Sequence, residues 1–593
     1  MKEFKKLLQF SKGYNLMYFF AILSIIISQV FNIISPLIIR TTIDSIIGSE
    51  PITSIYIQKL VNFLGGKEFL NKRLWIIGIV IICNAALRGL FLYLKNTLAS
   101  KSAETIAKRI RDKLYDNIQR LPYDYHVKAD TGELIQKCTS DVDTIRRFLA
   151  IQLVEVAGSI FMLTFILGII ANLNKKMVII SIVFLPFIFG FAVVFFKKVR
   201  YNFEKADESE AKLSTTLQEN LTGIRVVKAF SQERYELEKF DVRNQEYRKL
   251  SNKLVSNLAM YWSISDFFSM TQVGLVIVLG SYLTVKGELT LGTLIAFVSY
   301  INMLVWPIRQ MGRTLTDMGK ALVSIKRIDE ILSQPIEELV INGEEPVIEG
   351  NIEFKNVYFE YEKDRPVLKD ISFTANKGDT VAIIGSTGSG KSSLVHLLPR
   401  LYEYNKGSVK IDGIELNTID KYWIRKNIGL VLQEPFLYAK TIKENIRLSN
   451  PKMPDIKVFN AAKIAKIHDD INSFEEKYDT VVGERGVSLS GGQKQRMSIA
   501  RTIINESPIV IFDDSLSAVD TETDIEIRKA LNLRKHKATT IIISHRISTV
   551  SEADLILVVD KGKIIQRGTH KELIEKDGLY KRVYNIQSSY DEE

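Results

Sequence analysis

Gly385, Ser386, Thr387, Gly388, Ser389, Gly390, Lys391, Ser392 and Ser393 follow one another with the spacing GxxxxGKS, directly after an apolar run that begins at Thr380. Glycines at that spacing let backbone N–H groups close around phosphate oxygens, and the helix that follows adds a favourable field. Lys391 is placed to reach β and γ phosphates, and the Ser392 hydroxyl to ligate magnesium. A second apolar run, Ile509 to Phe512, ends in Asp513, 122 residues after Lys391. A carboxylate at the tip of a buried strand can hold the magnesium shell opposite that lysine. Between the two lie Leu489, Ser490, Gly491, Gly492 and Gln493, ahead of a helix expected over Lys494–Ile504. Here too, backbone N–H groups at a helix start seek an anion. One stretch of chain thus carries two phosphate-binding elements.

These elements occupy only the second half of a 593-residue chain, too long for one hydrophobic core. The first half has a different character. Charge-free stretches run over Gly13–Ile39, Leu74–Leu87, Val156–Asn174, Met177–Phe196, Phe267–Val285 and Leu289–Ile308. About 20 residues at about 1.5 Å each cross about 30 Å of hydrocarbon, so six spans are expected, near 13–39, 74–94, 148–174, 177–196, 264–285 and 289–308. The first run is too long for a cleaved signal. Residues 1–325 are read as a six-helix all-α transmembrane domain, 326–350 as a linker, and 351–593 as an α/β P-loop domain. The fold class is therefore a multidomain membrane protein.

Charge placement gives orientation. Lys and Arg outnumber Asp and Glu, 79 to 68. The segments 1–12, 95–147 and 197–253 hold 28 Lys and Arg, against 8 in the intervening ones, which puts both termini in the cytoplasm of a multi-pass protein of the cell membrane. Topology thus accounts for the positive charge, and no nucleic-acid partner is expected. The two long inner loops read as helices that continue into water, each interrupted near its middle, at Leu121-Pro122 and Asp130-Thr131-Gly132 and at Thr222-Gly223. Glu3–Phe10 reads as an interfacial amphipathic helix facing membrane lipid. Arg88, Glu155 and Asp266 interrupt or border the spans, so they either snorkel or line a substrate cavity. Cys83 and Cys138 form no metal or disulfide pattern and read as reduced.

With LSGGQ beside the phosphate loop, the chain resembles the ATP-binding cassette exporters over nearly its whole length. Six spans ahead of one cassette look like a half-transporter, two of which build a functional dimer. The resemblance implies ATP and Mg2+ as cofactors. It also implies that Leu489–Gln493 of one subunit close over the ATP held by the other. Tyr361 matches the aromatic that stacks on adenine, and Gln433 the glutamine that senses magnesium beside Ser392 and Asp513. Glu484 and Asp520 fall in the loops that face the opposite site, and His545 matches the γ-phosphate histidine. Segments near Tyr123–Glu133 and Thr222–Gln232 would be coupling helices that dock on the cassettes.

One position departs from the pattern. Where most of the family has a glutamate that polarises the attacking water, this chain has Asp514. Its carboxylate sits about 1.5 Å nearer the backbone, and a misplacement of about 1 Å can cost on the order of 100-fold in rate, so slow hydrolysis is expected. That resembles the degenerate-site chain of heterodimeric exporters, whose partner is a different half-transporter carrying the catalytic glutamate. The expected activity is ATP-driven export of an amphipathic small molecule, a drug or a lipid. A regulatory nucleotide-binding subunit and a homodimeric lipid flippase are the alternatives.

Overall fold

The computed structural model describes residues 10, 13–52, 54–337, 343–483, 489–517, 519–532 and 537–591. The expected interfacial helix Glu3–Phe10 lies, apart from Phe10, outside the described residues, and so does Glu484. Two compact units result. One comprises residues 1–119 and 130–334, the other 120–129 and 335–593.

The first unit consists of long helices. Asn15–Thr41 continues as a π-helical turn through Ile47, and Trp75–Gln119, Lys175–Thr222, Glu233–Val285 and Leu291–Leu332 are single helices. A further run extends over Thr131–Leu173. Among the described residues, the helical segments Asn15–Ile47, Trp75–Gln119, Thr131–Leu173, Glu233–Val285 and Leu291–Leu332 are each long and apolar enough to cross a membrane. Lys175–Thr222 carries the apolar stretch Met177–Phe196, several of whose side chains are not described. The 45 residues of Trp75–Gln119 reach about 68 Å, over twice the hydrocarbon thickness. The sequence explains the change of surroundings along that length. Its first part is mostly apolar and largely exposed, as a lipid-facing helix must be. Beyond Lys95 the buried apolar residues Ala99, Ala103, Ile106, Ala107, Ile110 and Leu114 form a helical stripe packed on neighbouring helices.

Packing between the helices centres on Ile33, Met162, Ile166, Ile170, Val276, Phe297, Tyr300 and Leu304. Because hydrocarbon offers no water to polar atoms, the Tyr300 hydroxyl donates to Ile33 O at 3.0 Å. A second polar fixture joins the end of the first long helix to the start of the last. The buried Asp44 carboxylate accepts from Gly292 N at 2.7 Å and from Thr290 Oγ1 at 2.5 Å, while Arg40 Nε donates to Thr293 Oγ1 at 2.9 Å. Asp44 and Thr290 thereby satisfy N–H groups that a helix start leaves unpaired.

The second unit folds around two sheets. An antiparallel one has the order β2-β1-β4-β5, from β1 (Ile352–Glu360), β2 (Pro366–Ala375), β4 (Lys406–Ile411) and β5 (Ile414–Glu415). The other has the order β10-β9-β3-β8-β7-β6, from β3 (Thr380–Gly385), β6 (Ile428–Val431), β7 (Ile509–Asp513), β8 (Thr539–Ile543), β9 (Leu555–Asp560) and β10 (Lys563–Gly568). In it, β9, β3, β8, β7 and β6 are parallel and β10 is antiparallel. All five residues of β7 are buried and β3 is buried beyond its first residue, as continuous Val and Ile runs require when both faces are covered. A helical layer, including Asp455–Ile464 and Gly491–Ile503, packs against Val510, Phe512 and Ile542.

Asp44→Leu leaves Gly292 N–H and two threonine hydroxyls without their acceptor, at about 1–3 kcal/mol per buried orphan. The purified protein is expected to lose at least about 3 °C of apparent melting temperature, and Asp44→Asn, which keeps an acceptor, less. Equal melting of all three forms would show that this junction carries no stability.

Candidate functional site

Parallel registry decides where the chemistry collects. Ile383 of β3 and Asp513 of β7 both pair with Ile543 of β8, so the loops leaving the three strands emerge side by side at the carboxyl end of the sheet. From β3 comes the phosphate loop, from β7 Asp513 and Asp514, and from β8 His545. The loop after β6 contributes Gln433.

Gly385–Gly390 turns tightly before the helix Lys391–Leu397. Gly390 has φ +99°, and a Cβ there would stand 2.9 Å from Leu368 Cδ2, so both conformation and space require glycine. Lys391 is buried, its Nζ folded back on Gly385 O at 3.0 Å and Ser386 O at 2.8 Å. An ammonium held there presents its charge to whatever anion the loop encloses. Burial pushes its pKa down, and the Asp514 and Asp513 carboxylates oppose that. Ser392 Oγ donates to Asp513 Oδ1 at 2.8 Å. A hydroxyl and a buried carboxylate side by side are the hard oxygen donors that Mg2+ takes when most of its shell is phosphate and water. Among the described residues no group of three His, Cys, Asp or Glu could hold a metal ion.

Asp514 adopts φ +46°, the left-handed region that aspartate tolerates better than most residues. Its N–H donates to Ile543 O at 3.2 Å and its carbonyl accepts from Ser517 Oγ at 2.7 Å, so the backbone is held from two sides. Oδ2 accepts from Gln433 Nε2 at 3.4 Å, while the buried Oδ1 has no hydrogen-bond partner among the described residues. Burial raises the carboxyl pKa, the positive field of His545 opposes, and Asp513 adds to the rise. A desolvated carboxylate with one free oxygen can accept a proton from water, which is the demand on a general base.

Tyr361 is half-exposed at the other end of the loop, its hydroxyl 2.8 Å from Ser393 Oγ. Its ring meets Tyr402 edge-on, with centroids 4.9 Å apart. Tyr402 in turn meets Tyr123 at 5.5 Å, on the short helix Tyr123–Lys128. The Tyr123 ring also lies 6.3 Å from that of His396, whose Nε2 is 3.3 Å from Asp513 Oδ2 without the direction of a hydrogen bond. The helix after the first inner-loop interruption therefore packs on His396, which stands beside Asp513, and on Tyr402, which meets the Tyr361 that bonds Ser393. His396 stands one helical turn beyond Ser392, a spacing that could have flagged it, whereas nothing local in the sequence marks Tyr402. The other expected docking segment forms the helix Ile224–Ala229, with Ile224, Val226 and Phe230 exposed.

Leu489–Gln493 opens the helix Gly491–Ile503. Ser490 Oγ accepts from Gln493 N, and Gln493 Oε1 from Ser490 N, a reciprocal cap that fixes the helix start. Asp520 caps the helix Thr521–Asn532 by accepting from Thr523 N at 2.8 Å, which holds its carboxyl below the usual range. In the helical unit, Arg88 and Glu155 line one cavity of about 610 Å³ with Met162, Met303 and Trp306. Glu155 is also paired with Lys95 at 2.6 Å. Asp266 does not line it. It is 2.6 Å from Arg309, whose guanidinium covers the Trp262 ring. The cation partners of Glu155 and Asp266 lie 60 and 43 positions away, beyond the reach of helical spacing.

The ABC transporter transmembrane region model matches residues 18–308, and the ABC transporter model matches residues 368–517. "Uncharacterized ABC transporter ATP-binding protein YknU" of Bacillus subtilis is 34% identical over 99% of this chain and 98% of its own length. The chain belongs to the ABC transporter family. A "Putative multidrug export ATP-binding/permease protein" of Staphylococcus aureus is also 34% identical, over 98% of this chain and all of that protein. The solved structure of a bacterial Atm1-family ABC exporter with ATP bound superposes with a TM-score of 0.79 at 26% identity, covering 96% of this chain and 98% of the other. This ABC exporter chain is thus a multi-pass half-transporter with its ATP-binding domain fused behind the helices, in a family that works as dimers.

Two expected outcomes follow from the site's geometry. Asp514→Glu should raise hydrolysis at this chain's own site at least about tenfold. Magnesium-ATP turnover of the assembled transporter in lipid reads this, with Lys391→Ala as blank, and no gain would mean that carboxylate length is not limiting. Tyr123→Ala, which empties the contact with His396 and Tyr402, should leave ATP affinity within about twofold yet abolish the rise in turnover when a transported compound is added. Retained stimulation would show that this contact carries no coupling.

Proposed function

We propose that this half-transporter exports amphipathic small molecules, drugs or lipids, across the cytoplasmic membrane by alternating access, as one half of a heterodimer whose other half carries the catalytic glutamate. In this reading six spans cross the membrane and both termini are cytoplasmic. Gly385–Ser393, Lys391 and Tyr361 hold ATP. Ser392 and Asp513 would hold Mg2+ with Gln433 beside them, and the ion would neutralise charge on the terminal phosphates. Asp514 polarises the attacking water slowly and His545 meets the γ-phosphate. Leu489–Gln493, Asp520 and Glu484 act on the partner's site. The exposed Ile224, Val226 and Phe230 dock on the partner's nucleotide domain.

One observation carries the reading: the glycine-rich loop, the Ser392–Asp513 pair and the Asp514 carboxylate converge at the carboxyl end of one sheet, and that carboxylate is one methylene short of the family's usual reach. The multidrug export named for the Staphylococcus aureus relative supports the substrate class, as does a cavity that mixes Met162, Met303 and Trp306 with Arg88 and Glu155. A regulatory subunit, in which ATP at the slow site acts as an allosteric ligand, is the second reading that Asp514 favours.

Inverted membrane vesicles holding the assembled transporter should accumulate a fluorescent amphipathic cation only with ATP, and Lys391→Ala should stop that uptake. Loss of uptake with the complex's hydrolysis intact would favour the regulatory reading. Glu155→Gln should change uptake of the cation more than it changes ATP turnover. Unchanged uptake would remove Glu155 from the substrate path.

A further inference from the structure

The C-terminal helix Leu579–Asp591 lies against the back of the ATP-binding sheet. Tyr580 is fully buried beside Ala382, Ile384 and Val558, with Leu579, Val583 and Tyr584 packed around it. One turn beyond Val583, the same helix delivers Gln587 to the loop that leaves β8. There its side-chain amide makes two hydrogen bonds to the main chain on either side of Arg546. Gln587 Nε2 donates to His545 O at 2.7 Å, and Gln587 Oε1 accepts from Ile547 N at 2.8 Å. One partner is a carbonyl and the other an N–H, so only one orientation of the amide satisfies both.

The loop is held from its other side as well. Arg546 donates to Val519 O at 2.7 Å and to Ser517 O at 2.8 Å, and Ser544 Oγ accepts from Arg546 N at 3.1 Å. The His545 backbone is therefore fixed while its imidazole stays exposed. Fixing a backbone around an exposed functional side chain is how a residue on a loop acquires a defined direction.

We infer that Gln587 is a positioning residue that clamps the peptide groups flanking Arg546 and so aims His545 at the γ-phosphate of bound ATP. The aim of His545 rests on its proposed role at that phosphate; the clamp itself does not. Leucine supplies neither bond, glutamate accepts from Ile547 N but sets a negative charge against His545 O, and asparagine is a methylene short. The clamp joins the end of the chain to the ATP site, so any force that lifts the C-terminal helix releases His545.

Backbone hydrogen exchange of the full-length chain in lipid tests this without requiring turnover. In the nucleotide-free protein, Gln587→Leu should speed exchange at Ile547 about tenfold while β8 keeps its protection; unchanged exchange at Ile547 overturns the clamp. With magnesium and a non-hydrolysable ATP analogue, wild-type residues 544–547 should be more protected than with ADP. Gln587→Leu should lose that difference with the analogue's affinity kept within about twofold. A variant that retains the difference overturns the positioning role. A wild type that shows no such difference overturns the reading of His545 and the aim with it, and the nucleotide-free comparison then judges the clamp alone. At this chain's own site, read as the part of the complex's turnover that Lys391→Ala removes, Gln587→Leu should lower kcat about tenfold at unchanged KM, and add less than twofold in a His545→Ala background. Equal losses in both backgrounds would show general destabilisation instead.

Discussion

The register of one parallel sheet governs this molecule. With Ile383 and Asp513 both paired to Ile543, the turns after β3, β7 and β8 have to meet, and each brings a different function: a phosphate cradle, a pair of carboxylates and a histidine. A parallel sheet tolerates this only because both its faces are covered by apolar layers, which leaves the strand ends as the exposed place for polar chemistry. A one-residue slip of β7 would move Asp513 away from Ser392.

Much of the nucleotide site was legible in the sequence because its parts are local. GxxxxGKS needs no distant residue to announce phosphate binding, and an apolar run ending in Asp513 announces a buried strand with a carboxylate at its tip. The resemblance to exporters supplied what local pattern could not, such as the place of Gln433, which the fold sets 3.4 Å from Asp514. What escaped were pairings made by tertiary contact. Gln587 reaches the His545 loop across 42 positions, and Tyr123 reaches Tyr402 and His396 from far upstream. Side chains that bond to backbone carry no sequence signature, since every residue offers the same peptide group.

The helical half shows the same division. Lengths and apolar faces of the long helices follow from composition, since hydrocarbon requires backbone groups to be satisfied within each segment. Charges near the spans were read as exceptional, and their partners explain how they are tolerated. Glu155 and Asp266 each meet a cation from another helix at 2.6 Å, so neither is a lone charge in a medium that would penalise it. Glu155 shares a cavity with Arg88, while Asp266 pairs with Arg309 outside it.

The central claim is that this chain binds ATP at Lys391 but cleaves it slowly because the water-polarising carboxylate belongs to a shorter side chain. The most direct measurement is the fate of nucleotide on this chain while the assembled transporter turns over. A photoreactive ATP labelled in parallel at the α and γ phosphates, crosslinked at intervals, reports whether the bound molecule is still a triphosphate. The account predicts that this chain keeps both labels through many turnovers of the complex. Loss of the γ label from this chain as fast as the complex releases phosphate would contradict it.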